Sequence, residues 1–328
     1  MSAREKPSAR SAPDRAEPGH VADAPAGNWV DRYAPSALRP YLRLMRADRP
    51  IGTWLLLFPC WWSAALAEIA RSQAVTPAPT FPDPWTLVLF AIGAFVMRGA
   101  GCAYNDFVDR DFDAQVARTR SRPLPSGQVK PWQALALVAA LGFAGLAVLL
   151  QFNGTTIALG IASLALVLVY PFMKRLTYWP QVILGLTFNW GALVGWTAVT
   201  GSLALAPALL YAGAVTWTVA YDTIYAHQDK EDDLMLGLKS TAIRFGDATV
   251  AWVGGLFAAT VVLWSAAALM ANAGFPTFAA LAVIAIHFGW QTATLDIGDA
   301  GNCLTRFRAN RTVGIVLFAG LLADLALR

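Results

Sequence analysis

The sequence predicts an all-α, polytopic integral membrane protein with about nine transmembrane helices. Three observations carry that prediction. The 328 residues are 56% hydrophobic and only 14% charged, more apolar than a soluble core requires. The apolar residues gather into runs of about twenty, the length at which a helix crosses a bilayer. The basic residues fall almost wholly into alternate connections between those runs, as the positive-inside rule demands.

Residues 1 to about 40 precede the first run. They are rich in Ala, Pro and Arg, with Glu5, Asp14, Glu17, Asp23 and Asp31 interspersed and no apolar core, so they read as a disordered cytoplasmic tail ahead of a transmembrane domain over 41–328. The tail lacks the apolar region of a secretory signal, and its acidic residues disfavour a mitochondrial transit peptide. The expected setting is a bacterial inner membrane with a cytoplasmic N-terminus, the alternative a mitochondrial inner membrane. Apolar runs then predict helices over roughly 50–70, 85–106, 131–150, 154–173, 178–199, 203–225, 247–271, 275–295 and 311–327. Of the 25 Lys and Arg residues, 22 lie before the first helix or in every second connection, the exceptions being Arg71, Arg98 and Arg328. That distribution supports an odd number of crossings and accounts for the net charge of +4 as topology, without a nucleic-acid partner.

Cys60, Cys102 and Cys303 are far apart and share no ligand spacing, so they read as packing residues. His287 is alone, and Gly191 with Gly195 forms a small-xxx-small pair suited to close helix packing.

The chemistry concentrates at the ends of two apolar runs. Trp85 to Tyr104 carries one charge, Arg98, and leads into Asn105-Asp106-Phe107-Val108-Asp109-Arg110-Asp111-Phe112-Asp113. Asn105, Asp109 and Asp113 recur at i, i+4 and i+8, along one face if the helix continues. Such a face is either a solvated helix end or a hold for a divalent cation. A second run, Asp229-Lys230-Glu231-Asp232-Asp233, follows Leu203 to Tyr221 and places Asp229 and Asp233 four apart. Two such sets favour the cation, because crowded carboxylates repel unless a positive charge lies between them. With oxygen donors and no His or Cys beside them, Mg²⁺ with a phosphate co-ligand fits best. Asp109 to Asp229 and Asp113 to Asp233 are both 120 residues apart, as a tandem helical repeat would give.

Each acidic set is followed by a basic stretch, Arg118 through Gly127 and Lys239 through Gly246. Together they outline a polyanion site in which metal neutralises one side of a diphosphate while Arg118, Arg122 and Lys239 bind the other. Arg98 lies inside an apolar helix, where an unpaired charge is costly in lipid and so faces an internal cavity.

These residues resemble the UbiA-type membrane prenyltransferases, nearest the subgroup that acts on 4-hydroxybenzoate in ubiquinone biosynthesis. The likeness covers about residue 40 to the end. It rests on Leu44 through Gly52, Asn105 through Asp113, Arg122 through Gly127, Tyr170 through Arg175, Tyr221-Asp222-Thr223-Ile224-Tyr225-Ala226 leading into Asp229–Asp233, and Lys239 through Phe245. The resemblance implies nine helices around a central cavity, with the acidic motifs facing each other across its cytoplasmic mouth. It implies Mg²⁺ held by Asn105, Asp109, Asp113, Asp229 and Asp233, the four aspartates being catalytic. Polyprenyl diphosphate and 4-hydroxybenzoate are the implied substrates, and Arg46, Arg98, Tyr170, Lys174 and Arg175 are candidates for acceptor binding. The competing expectations are a sister enzyme with another acceptor (a naphthoate, homogentisate, a haem or a chlorophyllide), a cation-coupled transporter, and a purely structural membrane subunit.

Overall fold

The computed structural model describes residues 21, 24–25, 27–72, 81–116 and 118–328, and every regular element among them is helical. Residues 1–20 of the expected tail lie outside the described residues. The boundary at residue 40 is too late, because residues 29–33 already form a helix. Helix α1 (Trp29–Tyr33) is capped by Asn28. Its Val30 is fully buried, Asp31 pairs with Arg43 of α2 (Arg39–Leu44) at 2.7 Å, and Trp29 Nε1 donates to Ala47 O at 2.8 Å.

The bundle follows as α3 (Ile51–Arg71), α4 (Pro84–Asp113), α5 (Pro131–Leu149), α6 (Gly154–Val169), the short α7 (Met173–Leu176), α8 (Pro180–Phe188) and α9 (Gly191–Thr200). Then come α10 (Leu205–Ala226), the short α11 (Lys230–Met235) and α12 (Thr241–Phe245), α13 (Thr249–Met270), α14 (Phe275–Ala293) and α15 (Ala300–Ala326). Starts are written in the sequence. Asp83 caps α4 ahead of Pro84, Asn153 caps α6, and Pro opens α5, α8 and α14 where no N–H is needed.

Among the described residues eight stretches are long and apolar enough to cross a bilayer. Helix α10, 22 residues long, falls short on apolarity and makes the expected ninth. The reason is its position. It packs against α3, α8, α9, α13 and α15, so its neighbours are protein and its Thr216, Thr218 and Thr223 hydroxyls find partners there.

Two expected helices are reshaped. The span over 178–199 breaks at Asn189 and Trp190, between α8 and α9. Asn189 Nδ2 donates to Gly185 O at 2.8 Å and Thr218 Oγ1 at 2.7 Å, and Trp190 Nε1 to Leu159 O at 2.9 Å, which satisfies the side-chain donors at the break. The last span begins at Ala300, a full three turns before 311. Gly191 and Gly195 do allow close approach, since a Cβ on either would collide with Cys60 of α3. The core is aromatic, with the Trp62, Trp217 and Trp264 rings 5.0 to 5.8 Å apart. All three cysteines are free.

The two ends of the bundle are distinct. Arg328 donates to Ser72 Oγ at 3.1 Å and Asn272 O at 2.7 Å, so the end of α15 meets the end of α3 and the α13–α14 turn. At the other end Arg118 grips Asp229, and Lys239 N donates to Lys174 O at 2.8 Å. Tags inserted near residues 115, 235 and 300 should therefore report one side of the membrane, the cytoplasmic side by charge, and tags near 202 and after Arg328 the other. A shared side for residues 115 and 202 would remove a crossing from the count.

Candidate active site

Helix α4 runs unbroken from the apolar run through the acidic one, so the spacing puts its carboxylates on one stripe. The buried members are Asp106, Asp109 and Asp113, with Asn105 at the edge of the stripe. Asp106 was not among the expected site residues. Asp111 points away and is 81% exposed. Across from the stripe, Asp229 stands at the N-cap of α11 and Asp233 one turn on, its N–H donating to Asp229 O at 2.8 Å.

Two cavities meet here. A mouth of about 220 Å³ is lined by both acidic sets, with Asn105, Asp109, Asp113, Asp229 and Asp233 all present. Behind it lies a chamber of about 760 Å³, walled by apolar residues of α3, α4, α5, α6, α8 and α9. Phe143 of α5 and Leu164 of α6 line this chamber yet are 73% and 43% exposed. The chamber thus reaches the lipid-facing surface between these two helices.

The cations expected to bind diphosphate are in the mouth, Arg118 and Arg122 held by its carboxylates and Lys239 by a backbone carbonyl. Arg118 makes a bidentate pair with Asp229, Nε to Oδ1 at 2.6 Å, and lies 5.9 Å over the Tyr225 ring. Arg122 reaches Asp113 at 2.9 Å and Asp106 at 3.4 Å. Lys239 donates to Leu176 O at 3.3 Å and lies over Tyr178. The acceptor candidates divide. Lys174 and Arg175 both pair with Asp109, at 2.7 and 3.1 Å. Arg46 pairs with Asp106 at 2.7 Å, both side chains buried, and its backbone sits at φ 60 to make that reach. Tyr170 lines both cavities.

Arg98 differs from these. Among the described residues it has no carboxylate within ion-pair distance; its guanidinium donates to Cys102 Sγ, stacks 5.2 Å over Phe188, and keeps a buried Nε with no partner. Gly52 makes room for it, since a Cβ there would overlap the guanidinium. A cation with no ion-pair partner inside a largely apolar chamber is costly, and Asp222 is a carboxylate that shares the chamber with it.

Charge balance tests whether the mouth fits a metal. Six aspartates line it (109, 113, 222, 229, 232 and 233) against four cations, Arg118, Arg122, Lys174 and Lys239. A diphosphate alone would enter a net negative mouth. Burial, with the Asp229 charge beside it, pushes Asp233 up to about 6 against the pull of Lys174 and Arg118. Among the described residues no three acidic, His or Cys side chains converge on one point. Mg²⁺ commonly takes one or two carboxylates and completes its shell with water and phosphate oxygens, so it does not require such convergence. The all-oxygen donor set fits a hard cation brought in with the substrate.

Residues 56–318 match the model of the UbiA prenyltransferase family. The chain is 48% identical over 305 residues to the mitochondrial 4-hydroxybenzoate polyprenyltransferase of Caenorhabditis elegans, covering 93% of this chain and 83% of that protein. Against the mitochondrial 4-hydroxybenzoate polyprenyltransferase of Homo sapiens it is 47% identical over 289 residues, 88% and 76% of the two chains. The apo structure of a UbiA homolog from Aeropyrum pernix K1 superposes with a TM-score of 0.67 at 27% identity, covering 82% of this chain and 97% of that one. A UbiA homolog from Archaeoglobus fulgidus, bound to GPP and Mg²⁺, shares the fold at a TM-score of 0.63 and 20% identity, covering 88% and 99%.

Proposed function

Because the chain belongs to the UbiA prenyltransferase family, we propose that it transfers a polyprenyl group from polyprenyl diphosphate to the ring of 4-hydroxybenzoate, ortho to the hydroxyl, in ubiquinone biosynthesis. The observation that carries the reading is the joining of an acidic, cation-lined mouth to an apolar chamber open toward lipid. A polyprenyl diphosphate has this division in itself, a charged head and a lipid-soluble tail.

The diphosphate head belongs in the mouth. Arg118, Arg122 and Lys174, which neutralise carboxylates there, would turn to phosphate oxygens as substrate enters, bidentately in the case of the arginines. Asn105, Asp109, Asp113, Asp229 and Asp233 would hold Mg²⁺, which supplies charge neutralisation to the departing diphosphate. The tail lies in the chamber, whose walls keep water from the allylic cation. Aromatic faces at the chamber, among them Phe188, Tyr221 and Phe307, stabilise that cation further. The acceptor carboxylate pairs with Arg98, well inside the chamber from the phosphates.

The test is direct. Membranes containing the chain, given Mg²⁺, labelled 4-hydroxybenzoate and prenyl diphosphates of several lengths, should form 3-polyprenyl-4-hydroxybenzoate; labelled product from a different acceptor and none from this one would overturn the reading. Arg98→Ala should raise KM for 4-hydroxybenzoate about ten- to a hundredfold, the loss of a charged hydrogen bond of roughly 1.5–3 kcal/mol, with KM for the prenyl diphosphate held. Equal loss toward both substrates would move the carboxylate elsewhere. As a multi-pass protein whose relatives are mitochondrial enzymes by name, it belongs to an inner membrane, mitochondrial or bacterial. Its mouth lies on the side that carries the basic loops.

A further inference from the structure

The reaction releases a proton, and nothing above says which group receives it. The two cavities share five lining residues: Asn105, Arg122, Tyr170, Asp222 and Tyr225. With the head in the mouth and the tail in the chamber, the first prenyl carbon lies at that junction. The bond that breaks and the bond that forms are both made there. Of the five, an amide is not basic, a guanidinium stays protonated, and a neutral phenol is a donor first. The remaining one is Asp222.

Its surroundings set it apart from the other aspartates of the mouth. Asp109, Asp113 and Asp229 are each held by Arg or Lys within 4 Å. Asp222 makes no hydrogen bond and no ion pair among the described residues; the cation acting on it is Arg98, in the chamber. It stands on α10 between Tyr221 and Thr223, which are both buried and hydrogen-bonded, Tyr221 Oη accepting from Thr218 Oγ1 at 3.0 Å and Thr223 Oγ1 donating to Val219 O at 2.6 Å. Its neighbours therefore fix the helix face while its own oxygens stay open to the junction. An open carboxylate at the reacting carbon, distinct from those that face metal and phosphate, is what a general base requires.

We infer that Asp222 is the base of the transfer, taking the phenolic proton of the acceptor as the carbon–carbon bond forms. The carbon–oxygen bond to diphosphate breaks and its electron pair leaves with the diphosphate. A ring π pair ortho to the hydroxyl forms the bond to the prenyl carbon, the O–H proton passes to Asp222, and the O–H pair closes the carbonyl of a dienone. The hydrogen on the substituted ring carbon then leaves as a proton to the released diphosphate. Its bond pair restores the aromatic ring as the oxygen recovers its proton from Asp222. One proton departs with the diphosphate, and the carboxylate is regenerated. This rests on the acceptor being a phenol, as proposed above.

The test compares the full chain with Asp222→Asn and Asp222→Glu on 4-hydroxybenzoate and on 4-methoxybenzoate, which has no proton to give. Asp222→Asn should lower kcat about a hundredfold or more and leave KM for the prenyl diphosphate within about twofold. It should keep Mg²⁺-dependent hydrolysis of prenyl diphosphate in the absence of acceptor, and lose most of the preference for the hydroxy over the methoxy compound. Asp222→Glu should recover part of the rate. A near-normal kcat, an unchanged preference between the two acceptors, or loss of diphosphate hydrolysis in both variants would overturn the assignment. If the wild-type chain prenylates another phenol and not 4-hydroxybenzoate, the acceptor reading fails on its own, and that phenol with its methyl ether decides the role of Asp222.

Discussion

In excess EDTA, turnover should fall by roughly a thousandfold or more relative to the Mg²⁺-supplemented rate, because the several kcal/mol of charge stabilisation at the leaving group would be gone. Six aspartates against four cations leave the mouth negative, so removal of the divalent ion turns it from a diphosphate site into a repulsive one. The dependence should sharpen with acid. Asp233 has to be ionised to act as a ligand, and it titrates near 6 without metal. As pH drops through that value a proton competes with the ion, and the Mg²⁺ concentration for half-maximal rate should rise. Full turnover in chelator, measured by product formation, would show that the cations of the protein suffice.

Asp229→Ala and Asp109→Ala should each cost several orders of magnitude in kcat while the protein still inserts, since what is lost acts on charge that develops in the transition state. The two should differ in stability. Asp229 removed takes from Arg118 its bidentate carboxylate; Asp109 removed takes an ion pair from both Lys174 and Arg175. Breaking a buried pair is worth about 3–5 kcal/mol, less here because the three cations are about a quarter to a third exposed. The asparagine variants keep shape and hydrogen bonding and should show the same kinetic loss with a smaller fall in melting temperature. Near-normal rates in either asparagine variant would place the ion elsewhere.

Much of this was legible in the chain, and the reasons are physical. Apolar length writes the crossings, and the four-residue spacing writes the acidic stripe, because a helix that leaves the membrane core keeps its period. Charge in an apolar run marked Arg98 for the same reason that it is rare there. What the sequence hid depends on contacts between distant segments. Asp106 looked like a bystander beside Asn105, but it is the acid that holds Arg46, 60 residues away. Gly52 closed the quoted Leu44–Gly52 stretch without a role; what it does is give space to Arg98. Asp222 stood in the quoted Tyr-Asp-Thr run without a role, since its significance is its place between two cavities and no local spacing reports that. The break at Asn189 was invisible because Asn and Trp do not interrupt an apolar run. The extra turns at the start of α15 were masked by Arg306, Arg308 and Arg311, which read as a loop and instead line a helix.

The modest apolarity of α10 has a consequence for how the chain is made. A segment enters the bilayer from the translocon by its own partition energy, and α10, with Asp222 and several threonines, has the weakest claim of the long helices. Its partners are synthesised on both sides of it, α3, α8 and α9 before, α13 and α15 after. Its entry is thus cooperative, and it falls late in the order of assembly. Until α13 emerges, the second acidic motif hangs from a segment that is half committed to the membrane. A nascent chain stopped short of residue 249 would carry every residue of the mouth and still have no stable place for half of them.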